Sequence, residues 1–345
     1  MTSNKILAIG DIHFKPDLAY ADFIDDRRIA EKQEVLDFII DQSKDCQYIV
    51  FLGDSLNSRN NGAVTVKEFV QFIERFVDKE IYILAGNHEK MGSGASAVDF
   101  LKEVKNKKWH IITDKLYTTK IGTKVVEFCP YFHKAELGTD DKKKATKILT
   151  KRLEGGDILF AHHCIAGSKV HDQDVEIYDE VIFSRKELDK LYKLVVAGHI
   201  HSPQVKDGVI VAGSIFTNEV GEHQKYIWKI DSKTLKYEQI ELPGRAIYKI
   251  ENPTDKELTE IKKDSIVKVV ITKKLPESKI KELKEKLRRF DAYIFIEQIP
   301  HERKKLHFSQ DEGLLDFSIE KLLEIYAKEN KVNLTKLKKG FELIK

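Results

Sequence analysis

The chain has 345 residues, of which 41% are hydrophobic and 33% are charged, and its formal net charge is only +3. This length is enough for two or three domains, and the small net charge does not by itself indicate a nucleic-acid partner. No stretch approaches the roughly 18 apolar residues of a membrane span, and no apolar signal segment is recognisable, so we expect no membrane contact. Cys46, Cys129 and Cys164 cannot all pair, and buried reduced thiols are expected, which fits a cytoplasmic location.

The first part of the chain alternates strand and helix patterns. Apolar runs at 6–9, 48–52 and 81–84 predict strands, while the spacing of apolar residues in 28–43 and 64–77 predicts helices. Fully apolar strands between helices are typical of a sheet buried on both faces. Polar motifs follow the ends of these strands, and ligands bind at that edge in open α/β sheets.

The middle of the chain predicts a second sheet. Segments 116–121 and 124–128 flank Gly122-Thr123 and predict a hairpin. Buried strands are expected at 158–160 and 194–196, each running into a histidine motif, and antiparallel strands at 205–212 and 226–242. The predicted fold class is therefore α/β, with a two-sheet α/β sandwich core.

Pro253-Thr254-Asp255 marks a predicted domain boundary. A strand at 265–272, a charged helix at 276–290 and a strand at 292–298 form a βαβ unit that we expect to cap the core. Helices at 318–328 and 334–344 form a predicted C-terminal helical hairpin, whose apolar faces two helices cannot bury by themselves. The predicted domains are 1–250 for the core, 255–300 for the cap and 314–345 for a helical partner-binding segment.

Five short motifs carry the chemistry: Asp11-Ile12-His13, Gly53-Asp54, Gly86-Asn87-His88-Glu89, Ala161-His162-His163 and Gly198-His199-Ile200-His201. Each is a weak signal alone, because a turn, a helix cap or a solvated loop can carry the same residues. Together, each at the end of an apolar run, they predict a site for two divalent metals, which needs about seven or eight nitrogen and oxygen ligands, one of them bridging. The candidate ligands are Asp11, His13, Asp54, Asn87, one of His162 and His163, His199 and His201.

The residue types at these positions suit different roles in such a site. Asp11 and His13 are two residues apart after a strand and would project the same way from an extended chain, as would His199 and His201. The two oxygens of Asp54 can bridge two cations. His88 remains free to donate a proton to a leaving group.

This ligand set predicts phosphoester hydrolysis. Two divalent cations roughly 3.5–4 Å apart would bring the pKa of a bridging water near neutrality, and the hydroxide would attack phosphorus in line. The Gly-rich phosphate loop of ATPases is absent from the sequence, so the chain is not expected to be an ATPase itself.

The five motifs resemble the calcineurin-like metallophosphoesterase superfamily over about residues 1–231. Within it, the chain looks most like the SbcD type of DNA double-strand-break repair nuclease, including its bacteriophage relatives. The resemblance extends to Pro130-Tyr131, to the segment 212–225, to the 265–298 unit as a DNA-capping domain, and to the helical hairpin that grips the coiled coil of an SbcC-type ATPase. Asn57 and Glu89 depart from the pattern, since many members carry acidic residues at the first position and Asp at the second.

The resemblance implies exonuclease action at DNA ends, with endonuclease action at hairpins or single strands, in repair or recombination. It implies two divalent metal ions, with Mn²⁺ preferred and Mg²⁺ possible, and possible homodimerisation. One ion would be held by Asp11, His13, Asp54 and His201, and the other by Asp54, Asn87, His162 and His199. His88 would be the catalytic histidine.

Three further residues are candidates for substrate binding: Arg59, His133 and His163. Basic clusters that could contact DNA phosphates are Lys142-Lys143-Lys144, Lys147, Lys151-Arg152 and Arg288-Arg289, although each is also typical of a solvated helix face. The alternative function is a small-molecule or nucleotide phosphodiesterase of the same fold, which the metal motifs do not separate from a nuclease. A catalytically inactive scaffold would lack a ligand, and none is missing.

Overall fold

The computed structural model describes residues 4–15, 27–91, 94–104, 106–170, 173–217, 224–263, 265–272, 275–288, 293–298, 323, 327 and 332–337. The chain divides into two units, Met1–Ile299 and Pro300–Lys345. The described helices are α1 (Arg27–Gln42), α2 (Ala63–Glu74), α3 (Lys142–Arg152), α4 (Arg185–Leu191), α5 (Asp255–Thr259) and α6 (Glu277–Arg288).

The described strands all lie in the first unit. In chain order they are β1 (Lys5–Ile9), β2 (Tyr48–Phe51), β3 (Glu80–Leu84), β4 (Trp109–Ile112), β5 (Tyr117–Ile121), β6 (Lys124–Cys129), β7 (Ile158–Ala161), β8 (Cys164–Ile165), β9 (Lys169–Val170), β10 (Gln173–Asp174), β11 (Ile182–Phe183), β12 (Leu194–Ala197), β13 (Gln204–Lys206), β14 (Val209–Val211), β15 (Tyr226–Asp231), β16 (Tyr237–Glu241), β17 (Ile247–Glu251), β18 (Ile266–Ile271) and β19 (Tyr293–Gln298).

Two mixed sheets form the core. The first has the described order β16-β15-β1-β2-β3-β4, with β1 to β4 parallel and β15 and β16 antiparallel at one edge. The second has the order β13-β14-β12-β7-β6-β5, with β14, β12, β7 and β6 parallel. The predicted hairpin is confirmed, because β5 and β6 pair antiparallel.

Side chains that alternate between the two faces of each strand explain how the sheets and helices form layers. On β1, Ile6 and Ala8 pack in a cluster shared with Phe128 and Phe160 of the second sheet, whereas Leu7 and Ile9 face a separate cluster with the helices α1 and α2. Successive strand side chains point to opposite faces, so an apolar run fills both layers. The helices α3 and α4 cover the outer face of the second sheet. The predicted two-sheet α/β sandwich is confirmed.

Helix α2 shows how local sequence sets this packing. Phe69, Phe72 and Ile73 are spaced three and four residues apart, lie on one face and are buried against β2 residue Phe51. Full burial of each such side chain contributes roughly 1.5–3 kcal/mol. This packing fixes the loops between β2, α2 and β3, from which several of the predicted site residues come.

A third sheet of parallel strands β17-β18-β19 packs against α5 and α6 around Leu258, Val269 and Leu287. The βαβ unit at 265–298 is present, and β17 adds a third strand to it. The sequence analysis predicted no strand at 247–251 and assigned most of this segment to the core. This third sheet thus begins before residue 255, where the sequence analysis placed the start of the predicted cap.

Little of the predicted helical hairpin belongs to the described residues. Segments 318–328 and 334–344 lie outside them, apart from Leu323, Ala327 and the helical turn at 334–337. In the described part of the chain, no helix combines the length and apolarity needed to cross a bilayer. Cys46, Cys129 and Cys164 are free and buried.

Candidate metal centre

The predicted site residues lie on loops at the carboxyl ends of strands from both large sheets. Asp11 follows β1, Asp54 follows β2 and Asn87 follows β3, while His162 follows β7 and His199 follows β12. The Asp11 carboxylate links the two sheets, because its oxygens accept the backbone N–H of His199 at 3.1 and 3.0 Å. The sandwich therefore assembles one site from motifs far apart in sequence.

Three site residues have left-handed backbone conformations: His13 (φ 50°), Asp54 (φ 45°) and His199 (φ 87°). Non-glycine residues in this region cost of order 1–3 kcal/mol each and cluster at functional sites. The chain turns at His13 and His199, so it is not extended there as the sequence analysis expected. Asp11 and His13 still lie in one cluster, whereas His199 and His201 lie in different clusters.

The first cluster brings together Asp11, His13 and His201. The Nε2 atoms of His13 and His201 are 2.9 Å apart, and His201 Nε2 is 3.9 Å from Asp11 Oδ2. Asp54 Oδ2 lies 3.8 Å from His13 Nε2 and so borders this cluster. Two nitrogen ligands about 2.1 Å from a common ion are separated by about 3 Å, so the histidine pair suits a metal.

The second cluster contains Asp54, Asn87, His162 and His199. Asn87 Oδ1 is 3.1 Å from His162 Nε2 and 2.9 Å from His199 Nδ1. Asp54 Oδ2 is 3.4 Å from His162 Nε2. Asp54 thus lies between the two clusters, at the place that the sequence analysis assigned to a bridging carboxylate.

The atoms of the second cluster converge as hydrogen-bond acceptors. His162 Nδ1 donates to the carbonyl oxygen of Leu52 at 2.6 Å, which leaves Nε2 with a lone pair in the neutral ring. His199 Nε2 lies 3.0 Å from both Glu180 oxygens, which leaves Nδ1 with a lone pair. These lone pairs face the amide oxygen of Asn87, so the cluster needs a cation or additional protons. The donor set fits a divalent metal.

Charge in the site follows from burial and the neighbouring carboxylates. Burial lowers the pKa of His13 to about 3, so its ring is neutral at physiological pH, as a metal ligand must be. Burial would also lower the pKa of His162, but the Asp54 carboxylate raises it above its ordinary value. The pKa of His199 is raised well above its ordinary value, against the effect of burial, by Cys164 and Glu180.

His88 stands beside the clusters with its side chain 45% exposed. Its backbone N–H donates to Asp54 Oδ1 at 2.9 Å, and its ring Nδ1 donates to the Asn57 carbonyl oxygen at 3.1 Å. Its Nε2 is 4.0 Å from Asp54 Oδ2. With Nδ1 engaged, Nε2 is the atom that can hold or release a proton toward a substrate.

Glu89 fixes the loop that carries Asn87 and His88. The side chain is fully buried, and its oxygens accept the backbone N–H groups of Gly86 and Leu56, both at 2.8 Å. Burial raises the pKa of Glu89 to about 8, with the Asp54 charge adding to the shift. The sequence analysis noted this residue as a departure from the family pattern and missed its structural role.

Arg59 lies in a cleft beside the catalytic candidate. The cleft has a volume of about 420 Å³ and is lined by Asn57, Ser58, Arg59, Asn60, Asn87 and His88. His133 does not line this cleft; its half-buried ring packs edge-on against Tyr131, with ring centroids 5.0 Å apart. Of these two candidate substrate contacts, Arg59 is therefore the one that shares a cleft with His88.

His163 does not reach the cleft. It is fully buried, stacks on Tyr131 with ring centroids 5.0 Å apart, and accepts the Phe132 N–H through Nε2 at 3.2 Å. The prediction that His163 binds substrate is corrected on this ground, because its ring supports the wall formed by Tyr131. The sequence analysis also missed Glu180, which no motif contains and which only the fold brings to His199.

Comparison with known proteins shows the family of the chain. The calcineurin-like phosphoesterase family matches residues 4–203. A solved structure of an archaeal phosphodiesterase is 15% identical, with a TM-score of 0.36, over 69% of this chain and 99% of that chain. No curated protein sequence matches significantly. Since the family match covers more than half of the chain, the chain belongs to the calcineurin-like phosphoesterase family, whose members use divalent metals.

Proposed function

We propose that this phosphoesterase is a two-metal DNA nuclease, with exonuclease and endonuclease action at DNA ends, that works in repair or recombination with an SbcC-type ATPase. The observation that carries the phosphodiesterase chemistry is the convergence of acceptor atoms in the second cluster (Asp54, Asn87, His162 and His199), beside the first cluster. The substrate class rests on the cleft beside His88 and on exposed lysines, described below.

The proposed ligands of one ion are Asp11, His13, Asp54 and His201, and those of the other are Asp54, Asn87, His162 and His199. These oxygen and imidazole donors suit Mn²⁺, with Mg²⁺ as the alternative. When bound, the two ions would supply Lewis-acid stabilisation to a phosphoryl group.

The proposed catalytic residue is His88. Its position is fixed at both ends of the residue, by Asp54 at the backbone and by Asn57 at ring Nδ1. Nε2 is therefore presented to the cleft and can deliver a proton to the leaving oxygen of a phosphodiester. Such proton transfer contributes typically about 10²–10⁴-fold in rate.

A polymeric anionic substrate is favoured by two features. Arg59 shares the cleft with His88 and can pair with a phosphate next to the reacting one. Lys143, Lys147 and Lys151 are exposed and four residues apart, so they form one basic stripe along α3. Phosphate contacts by this stripe would make binding fall with salt.

The partner and assembly proposals rest on the sequence. The SbcC-type ATPase would bind the amphipathic segment 314–345, nearly all of which lies outside the described residues. Homodimerisation is proposed on the family resemblance alone. Neither is needed for the hydrolytic chemistry proposed for the two clusters.

The test is nucleotide release from linear duplex DNA in Mn²⁺, with bis(p-nitrophenyl) phosphate as a second substrate. Wild type, His88→Ala and His110→Asn are compared; His110 pairs with Glu80 on β3, outside the two clusters, and serves as the matched control. We expect wild type and the control to degrade DNA and His88→Ala to lose about 10²–10⁴-fold. Hydrolysis of the simple ester without DNA degradation, even with the ATPase partner added, would contradict the nuclease and favour a small-substrate phosphodiesterase.

A further inference from the structure

Glu180 occupies a position behind the second cluster that no motif predicts. It lies just before β11, and its side chain is 17% exposed. Both of its carboxylate oxygens are 3.0 Å from His199 Nε2, the ring nitrogen that points away from Asn87. The residue lines a second cavity of about 530 Å³, together with Tyr131, Cys164 and His199 among others.

The Glu180 carboxylate is itself held in place. Cys164 Sγ donates to Oε1 at 3.2 Å, and the Tyr131 hydroxyl donates to Oε2 at 3.4 Å. Cys164 belongs to β8, which pairs in parallel with β11 so that Cys164 aligns with Ile182, two residues beyond Glu180. Three donors, from His199, Cys164 and Tyr131, therefore converge on the Glu180 carboxylate and hold it in place.

This arrangement selects one form of the His199 ring. A carboxylate only accepts, so Nε2 must carry a hydrogen, and Nδ1 is then the atom available to a metal. Nδ1 is 2.9 Å from Asn87 Oδ1, inside the second cluster. A carboxylate behind a ligating histidine fixes its tautomer and orientation and raises its basicity.

We infer that Glu180 is a positioning residue that increases the metal affinity of the second cluster and leaves the first cluster unaffected. The inference rests on the proposed function to the extent that a cation binds between Asn87 and His199. Its selectivity follows from its contacts, because Glu180 hydrogen-bonds to His199 of the second cluster and to Cys164 and Tyr131, which belong to neither cluster.

The test is a stepwise Mn²⁺ titration of the full chain after metal removal, read by calorimetry and by electron paramagnetic resonance. Wild type is compared with Glu180→Leu, which removes the acceptor, and with Glu180→Gln, which keeps an acceptor oxygen without the charge. Asp179→Asn is the matched control, since Asp179 is the adjacent acid, is 81% exposed and pairs with Lys134. Circular dichroism and the Tm of each metal-free protein report on folding.

We expect Glu180→Leu to weaken one of the two binding steps by about 10–100-fold and to leave the other step unchanged. Glu180→Gln should recover part of the loss, and the control should match wild type. If the wild type binds two ions and both affinities are unchanged in the two Glu180 variants, the proposed role of Glu180 is wrong and the proposed function still stands. Equal weakening of both steps would also overturn the role of Glu180, because a general structural role does not select one cluster. Failure of the wild type to bind two ions would contradict the proposed function itself, and the inference with it.

Discussion

The two clusters of the site are built from similar residues but are supported differently. In the second cluster, His162 is held by the Leu52 carbonyl oxygen and His199 by Glu180, so each ring has a partner behind it. In the first cluster, His13 Nδ1 is buried and has no hydrogen-bond partner among the described residues. Its orientation depends on burial and on its left-handed backbone. Ligand geometry can thus be fixed either by hydrogen bonds or by the main chain.

Asp54 is shared by the two clusters, because its Oδ2 lies 3.4 Å from His162 Nε2 and 3.8 Å from His13 Nε2. We expect Asp54→Asn to reduce metal content from two ions to less than one and to lower phosphodiester turnover by at least about 10²–10³-fold, as on loss of a main electrostatic contact. Metal content is measured by elemental analysis after dialysis.

The matched control is Asp41→Asn, which changes an exposed carboxylate paired with Lys44. It should retain wild-type metal content and turnover. Retention of both ions by Asp54→Asn would show that no bridging carboxylate is required.

Removing a ligand from one cluster should leave the other occupied. His201 contacts His13 and lies near Asp11, and both of these residues belong to the first cluster. We expect His201→Ala to bind one ion in place of two, with turnover reduced by about 10²-fold or more. Elemental analysis together with the Mn²⁺ titration measures this. Loss of both ions would mean that the clusters are not independent.

The clusters should also differ in their response to pH. The pKa of His162 is raised and that of His199 is raised well above its ordinary value, which favours protonated rings in the metal-free protein, whereas the pKa of His13 is lowered to about 3. A metal ion that binds in the second cluster must displace protons from these rings. At pH values below the raised pKa values, its affinity therefore falls about tenfold per pH unit for each proton displaced.

Calorimetry at pH 7 in buffers of different ionisation enthalpy measures this proton release. The observed enthalpy of one binding step should depend on the buffer. His13 should add no such dependence to binding in the first cluster, because its ring holds no proton to release at pH 7. Two buffer-independent steps would contradict the assignment of charge in the second cluster.

Removing the charge of Asp45, which lies outside the site, should have the smallest effect on the protein. Asp45 accepts from Lys229 at 2.8 Å and from Lys5 at 2.5 Å, and although burial opposes it, these lysines lower the pKa of Asp45. A lowered carboxyl pKa stabilises the fold above the unfolded-state pKa of about 3.9, and the gain is lost as pH falls through the folded-state value.

We therefore expect Asp45→Asn to reduce the free energy of unfolding at pH 7 by less than about 1 kcal/mol, because the pair is partly exposed. The loss should shrink progressively below pH 4, and Mn²⁺ binding should not change. Urea unfolding at pH 7 and pH 3 measures it, and an equal loss at both values would contradict the pairing as its cause.

Much of the fold was predicted from the sequence, because short apolar runs between helices, such as Ile6–Ile9, are typical of strands buried on both faces. The position of Asp54 between the clusters was also expected, since strand ends meet at one edge. The left-handed turns at His13 and His199 were not, because local sequence favours an extended chain there. Glu180 escaped notice because its role depends on the pairing of β8 with β11, which no periodicity indicates.

Turnover of bis(p-nitrophenyl) phosphate by metal-stripped protein, before and after addition of Mn²⁺, decides whether these clusters form a metal-dependent phosphodiesterase. We predict negligible hydrolysis by the stripped wild type, recovery on adding Mn²⁺ to two equivalents, and no recovery in Asp54→Asn. Hydrolysis that persists at the same rate in the presence of a chelator, or that Asp54→Asn retains, would contradict this assignment.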